Sequence, residues 1–314
     1  MTPDDYKVTG EERLKYSNFG KYAASNLFQT LPSTLWYYTS ANTFARILKS
    51  NSVWATQIAC LNDHTEFRYS VRLLREEFKN VLDDPDKDKA FLARYLYETM
   101  ENDGADASFF FVFCMSLVRD DLSQWRAYGG GEGGVSIGFN PGSFLIPEIT
   151  ARAYLFPVKY VPTEHNKIVQ DVAKWTMVFF KDGLTQRPGA NLKKWADEFL
   201  EAWREQVVYL APALKHPSFK DEKEWRLTYA LHPDDMGKIE ILQRSTLISR
   251  HLPLSFGQKL PIREVIVGPC RHPSVSLVSV GTYLRAQGYL VNGVGENDIS
   301  KVTVTSSSIP FQTM

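Results

Sequence analysis

The sequence predicts an α+β fold, one core with helical insertions, on two observations. Short runs rich in β-branched and aromatic residues recur from the first third of the chain to its end, and segments with apolar positions at helical spacing stand between them. A length of 314 residues suits one large domain or two. With no linker, internal repeat or low-complexity tract in view, the expectation is a single domain over residues 1–314 with a helical insertion at about 163–214.

After a polar helical lead, Leu35-Trp36-Tyr37-Tyr38-Thr39 is aromatic and strand-forming. Ser40 is placed to cap the next helix, where Phe44, Ile47 and Leu48 recur at helical spacing, and Val53-Trp54-Ala55 follows as a short strand. In Asn62-Asp63-His64-Thr65-Glu66 the spacing of Asp63 and Glu66 is that of a capping box, and Phe67, Val71, Leu74 and Phe78 continue it as an amphipathic helix. The acidic turn Asp83-Asp84-Pro85-Asp86 leads to a helix over Lys89–Met100, and Phe109–Met115 reads as a buried central strand. Asp121 and Gln124 open a short helix bearing Trp125 and Tyr128, which Gly129–Gly134 stops before the strand Val135–Phe139. Ala153–Val161 reads as a strand, Glu164–Lys181 and Ala190–Val208 as long helices, and Glu222–Leu231 and Lys238–Ile248 as strands. The strand Glu264–Val267, the helix Pro273–Gln287 and the strand Lys301–Ser306 complete the pass.

Composition narrows the function. A hydrophobic fraction of 44% and a charged fraction of 23% suffice for a core without disulfides or metal. Lys plus Arg equals Asp plus Glu at 36 each, so no net field draws the chain to nucleic acid or an anionic membrane. Cys60, Cys114 and Cys270 have no paired spacing, which argues for a reducing compartment and against a zinc ribbon. With no secretory pattern at Met1-Thr2-Pro3-Asp4-Asp5 and no apolar run long enough to span a bilayer, the expectation is a cytoplasmic protein without a membrane partner. The histidines form no metal pattern, no Gly-x-Ser-x-Gly elbow is present, and no bound metal is expected. The glycine run lacks the Gly-Lys-Ser/Thr ending of a phosphate loop and precedes a strand, so it reads as a flexible turn.

The sharpest chemical feature is Glu222-Lys223-Glu224-Trp225-Arg226. As a strand it places Glu222, Glu224 and Arg226 on one face, with Lys223, Trp225 and Leu227 on the other. Such a face is either a functional acidic pair with a compensating arginine or a solvated face of cross-strand ion pairs. Ser116, Arg119, Asp120 and Asp121 sit where a buried strand emerges into a loop, a common place for binding groups, although capping alone accounts for Asp121. Trp125 and Tyr128 form either core or an aromatic wall for a flat ligand ring. Capping likewise accounts for Asp63 and Glu66 and leaves Asn62 less explained.

Five spaced blocks resemble a bacterial family catalogued as domain of unknown function 2971. They are Leu35–Ser40, Leu61–Glu66, Cys114–Ser116 with Asp120–Tyr128, Gly134–Phe139 and Glu222–Leu227, and the likeness runs from about residue 35 to Pro310. A more distant likeness is to ADP-ribosyltransferases. The opening strand, aromatic residue, Thr39 and capped helix resemble theirs, with Tyr37 standing where they usually carry His or Arg. The resemblance implies a mixed, mostly antiparallel sheet core of that type, NAD as substrate, Glu224 as the catalytic glutamate and Glu222 as an accessory group orienting the acceptor. It also implies that Ser116 lies beside the nicotinamide ribose, that Tyr37, Tyr38, Thr39 and Asn62 help to bind, that Tyr38, Trp125 or Tyr128 stacks on nicotinamide, and that Arg119 or Arg226 holds pyrophosphate, with Asp121 in the same cluster.

The functional expectation is therefore an NAD-dependent ADP-ribosyltransferase or NAD glycohydrolase, with family context suggesting a toxin or phage-defence effector. Its acceptor would be nucleic acid, protein or water, and a regulatory protein partner fits the same context. One alternative is a noncatalytic nucleotide-sensing or interaction domain. Another is a metal-dependent nuclease using Asp63, Glu66, Asp121 and Glu224.

Overall fold

The computed structural model describes residues 3–12, 29–61, 66–100, 110–131, 133–145, 153–207, 211–231, 233–244, 247–256, 259–293, 295–296 and 298–310. In chain order the elements are β1 (Leu35–Thr39), α1 (Ala41–Ser50), β2 (Val53–Gln57), α2 (Glu66–Lys79), α3 (Lys87–Thr99), β3 (Phe110–Ser116), α4 (Leu122–Tyr128), β4 (Val135–Phe139) and β5 (Ala153–Pro157). They continue with α5 (Pro162–Thr185), α6 (Leu192–Val207), β6 (Glu224–Ala230), β7 (Glu240–Arg244), β8 (Leu247–Leu254), β9 (Ile262–Val267), α7 (Pro273–Ala286) and β10 (Thr303–Ser306). The protein is thus α+β. Its sheet is mixed and mostly antiparallel, ordered β10-β9-β4-β1-β3-β2-β8-β7, with β6 pairing β3 and β5. The β9–β10 pair is parallel, whereas β1–β3, β1–β4, β2–β8, β4–β9 and β7–β8 are antiparallel.

The chain divides into two compact units, one built from Met1–Gln29, Gln57–Phe110 and Phe156–Lys220, the other from Thr30–Thr56, Phe111–Leu155 and Asp221–Met314. The first is helical. Its helix α3 is capped by Asp86, whose carboxylate accepts from the Asp88 and Lys89 amides and also pairs with Lys181. Helices α5 and α6 meet through Phe180, Trp195 and Phe199, with the Trp195 indole donating to the Phe180 carbonyl at 3.1 Å. A Cβ at Gly183 would lie 2.1 Å from Trp195, so only glycine admits the indole at this crossing. Arg187 and Glu12 form a buried ion pair, and Arg187 also donates to the Asp5 and Lys7 carbonyls, which fastens the N-terminal segment to the helices.

In the second unit, period-two alternation sorts the sheet into an apolar face and a polar face. Leu35, Phe111, Phe113, Met115, Val135, Ile137, Phe139, Trp225, Leu227, Tyr229 and Val265 turn to one side. There they pack with Phe44, Ile47 and Leu48 of α1, with Phe144 and with Leu284 of α7. Burial of each such large side chain stabilises by about 1.5–3 kcal/mol. Ser40 starts α1 as expected, its hydroxyl accepting from the Thr43 amide at 3.2 Å. Trp36, Tyr38, Trp125 and Ile266 form a smaller cluster, and Trp36 and Tyr38 alternate with the β1 residues of the apolar core.

Most boundaries shift by a few residues from the sequence reading, and three of the differences have an evident physical cause. Ala153–Val161 is strand only to Pro157, because Pro162 opens α5. Lys238–Ile248 is not one strand; it contributes β7 and the start of β8, which pair antiparallel. Glu222–Leu231 becomes strand only at Glu224, since Pro217–Glu222 is a 3-10 turn and Lys223 has φ 44°. The capping-box residue Asp63 lies outside the described residues. The glycine run forms the expected turn, with positive φ at Gly130, Gly131 and Gly133. Among the described residues no helix is long and apolar enough to cross a membrane.

Candidate functional site

Four of the predicted residues, Tyr38, Ser116, Glu224 and Arg226, share the polar side of the sheet. Glu224 and Arg226 are two apart on β6, so both side chains leave by the same face while Trp225 and Leu227 enter the apolar core. Arg226 forks onto Glu224, its Nε donating to Oε1 at 3.0 Å and its Nη2 to Oε2 at 2.9 Å. The guanidinium is fully buried at 1% exposure and Glu224 nearly so at 7%, which makes this a desolvated, bidentate pair rather than a solvated face. Thr228, next on the same side, keeps a buried hydroxyl with no hydrogen-bond partner among the described residues.

Ser116 ends β3 beside this pair. It faces the same way as Trp36, its cross-strand partner, and is likewise buried. Its hydroxyl donates to the Glu222 carbonyl at 2.7 Å and accepts from the Val118 amide at 3.1 Å, while the Leu117 amide donates to the Lys223 carbonyl. These bonds hold the left-handed turn at Lys223, which takes Glu222 out of the strand. The expected same-face trio of Glu222, Glu224 and Arg226 is therefore reduced to a pair, because one left-handed residue breaks the alternation. Glu222 meets Ser116 through its backbone.

Tyr38 extends the network. Its hydroxyl donates to the Val118 carbonyl at 2.8 Å and accepts from the Asp121 amide at 3.1 Å. Burial, reinforced by the charges of Asp120 and Asp121, pushes the Tyr38 phenol far up, so it acts only as a neutral hydrogen-bonding group. The Trp125 ring meets Tyr38 edge-on at 4.7 Å and donates its indole N–H to Asp120 at 2.7 Å. Asp120 also accepts from the Ser307 hydroxyl and from the Ser308 amide and hydroxyl. Burial opposes its charge, yet these donors hold the carboxyl below its ordinary value.

Several predicted binders have other work. Arg119 pairs with Glu264, donates to Thr305 at 3.0 Å and covers the Trp36 ring, so it is engaged at the β9–β10 edge. Asp121 caps α4 by accepting from the Ser123 and Gln124 amides, as the capping reading holds. Trp125 is core, and Tyr128 is exposed at the end of α4. Tyr37 turns to the opposite side, its ring 4.6 Å from Phe113 in the apolar core. Thr39 shares that direction by alternation. Tyr37 and Thr39 are thus separated by the sheet from Ser116 and Glu224, whereas Tyr38, Ser116, Glu224 and Arg226 share a face. Asn62 lies outside the described residues, as does Asp63 of the nuclease alternative, and nothing is described of the Glu66 side chain. Among the described residues no group of three His, Cys, Asp or Glu side chains is placed to hold a metal ion. Glu264, which claims Arg119, was not foreseen, since it lies 145 residues away in the chain.

Residues 124–227 match the model of a family described as Protein of unknown function (DUF2971). That span runs from α4 to β6 and includes Trp125, Glu224 and Arg226. No curated protein and no solved structure matches the chain.

Proposed function

We propose, from the polar sheet face that carries Tyr38, Ser116, Glu224 and Arg226, an NAD-consuming enzyme, an ADP-ribosyltransferase or NAD glycohydrolase; the DUF2971 family whose model residues 124–227 match has a description that names no activity. The observation that carries this reading is the buried Glu224–Arg226 fork beside Ser116. Arg226 engages each carboxylate oxygen of Glu224 once, a bidentate contact that leaves the acid ionised in place. Arg226 fixes the direction of the carboxylate, and the dry surroundings strengthen its field.

NAD supplies a cationic nicotinamide leaving group, which departs with the electron pair of the glycosidic C–N bond. Glu224 would stabilise the positive charge that develops on the ribose, and Ser116 would maintain the turn that aims it. The acceptor, a hydroxyl, amine or water, forms the new bond to the anomeric carbon and releases its proton to solvent. Toxin or phage-defence action remains part of the proposal through family context alone.

The same fork favours a second reading, a nucleotide-sensing domain without turnover. Both carboxylate oxygens are already engaged by Arg226, and Tyr37, which resemblance assigns to the ligand, faces the core. Incubation of the full chain with NAD, with and without nucleic-acid and protein acceptors, separates the two by nicotinamide release. The enzyme reading expects release from the wild type and its loss in a folded Glu224→Gln variant. NAD binding without release selects the sensor, and undiminished release from the variant removes Glu224 from the chemistry.

A further inference from the structure

In the helical unit, α2 presents Tyr69 and Arg72 one turn apart, and Ser70 between them ties the helix to the Leu214 carbonyl. The Tyr69 hydroxyl lies 3.0 Å from His165 Nδ1 on α5, and His165 Nε2 lies 2.8 Å from the Lys159 carbonyl. That carbonyl also accepts from the Lys215 amide at 3.0 Å. A carbonyl only accepts, so Nε2 carries the ring proton, Nδ1 of the neutral imidazole is the acceptor, and Tyr69 is the donor. Burial lowers the affinity of His165 for a second proton, with His216 adding to the effect, while the Lys159 carbonyl and Glu164 oppose it.

The outer surroundings of Tyr69 are rich in donors. The exposed Arg72 guanidinium is 5.8 Å from the ring centroid and the exposed His216 ring meets it edge-on at 6.0 Å. Glu164, the acid beside His165, is paired with buried Lys159 at 3.2 Å. A guanidinium over its face and an imidazole at its edge therefore flank the Tyr69 ring.

We propose that Tyr69, Arg72 and His216 bind a phosphoryl group, and that the bound anion draws the Tyr69 proton away from His165. Arg72 supplies a planar pair of donors, His216 a third, and the Tyr69 hydroxyl turns from the imidazole to a phosphate oxygen. His165 Nδ1 is then a buried acceptor without its donor, a costly arrangement that uptake of one solvent proton relieves. The imidazolium donates through Nδ1 to the phenol oxygen and through Nε2 to the Lys159 carbonyl. The described groups around His165 are Tyr69 against its Nδ1, Arg72 over the Tyr69 ring, Glu164 beside it on α5 with its partner Lys159, and His216 at the Tyr69 edge. The anion and Glu164 favour its charge, and the cations oppose it. Binding is thereby linked to proton uptake.

Calorimetric titration of inorganic phosphate, pyrophosphate and ADP-ribose into the full chain, in two buffers of different ionisation enthalpy, tests this. The expected result is saturable binding with proton uptake, weakened about tenfold or more by Arg72→Ala and Tyr69→Phe because each removes a charge-assisted donor. Uptake disappears in Tyr69→Phe and in His165→Gln, with circular dichroism confirming that the variants fold. Tighter binding of ADP-ribose than of phosphate identifies a nucleotide as the source of the group; the reverse identifies free phosphate. Absence of binding by all three probes at millimolar concentration overturns the proposal, as does binding that is indifferent to both donor variants or proceeds without proton uptake. The titration involves neither Glu224 nor nicotinamide, so its failure leaves the NAD proposal standing on its own test.

Discussion

Replacing Arg226 with methionine exposes what the fork on Glu224 contributes. The guanidinium is 1% exposed and the carboxylate 7%, so the variant retains a desolvated acid after removing its bidentate partner. Loss of one member of such a pair costs about 3–5 kcal/mol, and Glu224→Met, which leaves the guanidinium behind, falls in the same range. Glu224→Met/Arg226→Met removes both charges together and is expected to be near neutral, or more stable by about 1–4 kcal/mol. The double variant should therefore differ from the sum of the singles by more than about 3 kcal/mol. Urea unfolding followed by far-ultraviolet circular dichroism measures all four chains. The argument for a dry, mutually dependent pair is refuted if each single variant loses less than about 1 kcal/mol or if the two losses simply add. A stable double variant also serves the activity assay, because absence of nicotinamide release from a folded chain then reports on chemistry alone.

Asp120→Asn should destabilise by about 1–3 kcal/mol near neutral pH, because an amide nitrogen faces a donor that the carboxylate accepted. The folded-state pKa of Asp120 is depressed below its ordinary 3.8. Its contribution is therefore present above that ordinary value and is lost as pH falls through the folded one, so urea midpoints of wild type and variant should converge in acid. A difference that stays constant down to the lowest pH at which the chain folds would show that the charge contributes nothing. Gly183→Ala places a methyl against fully buried Trp195 and should cost about 1–3 kcal/mol; a variant as stable as wild type in thermal melts would mean that α5 and α6 separate freely at this crossing.

The elements were legible where one local signal decided them. Ser40 and Asp121 each cap a helix as expected, and the aromatic and β-branched runs at Leu35–Thr39 and Val135–Phe139 are strands with the expected bounds. The candidate site was legible only in part, because side-chain direction depends on unbroken alternation and on partners far along the chain. A left-handed Lys223 is invisible in Glu-Lys-Glu-Trp-Arg, yet it removes Glu222 from the face. Nothing around Tyr37 and Tyr38 says which of the two enters the core; the packing of Phe113 against Tyr37 decides it. Arg119 was equally opaque, since Glu264 belongs to a strand formed much later in sequence. The Tyr69–His165 contact, across 96 residues, left no sequence signal at all.

Two ion pairs buried among the described residues differ in what they join. Arg187 joins Glu12 and the Asp5 and Lys7 carbonyls to a helix more than 170 residues away, so that pair fastens one part of the fold to another. Arg226 and Glu224 are two residues apart on one strand, and their mutual contact closes no loop and joins no elements. Desolvating both charges is costly, and two apolar side chains of similar volume would leave the sheet at least as stable. The Glu224–Arg226 pair is held dry on the strand that also carries Thr228, whose buried hydroxyl has no hydrogen-bond partner among the described residues. This is also why the double methionine variant is informative: it should retain or improve stability while losing whatever the site does.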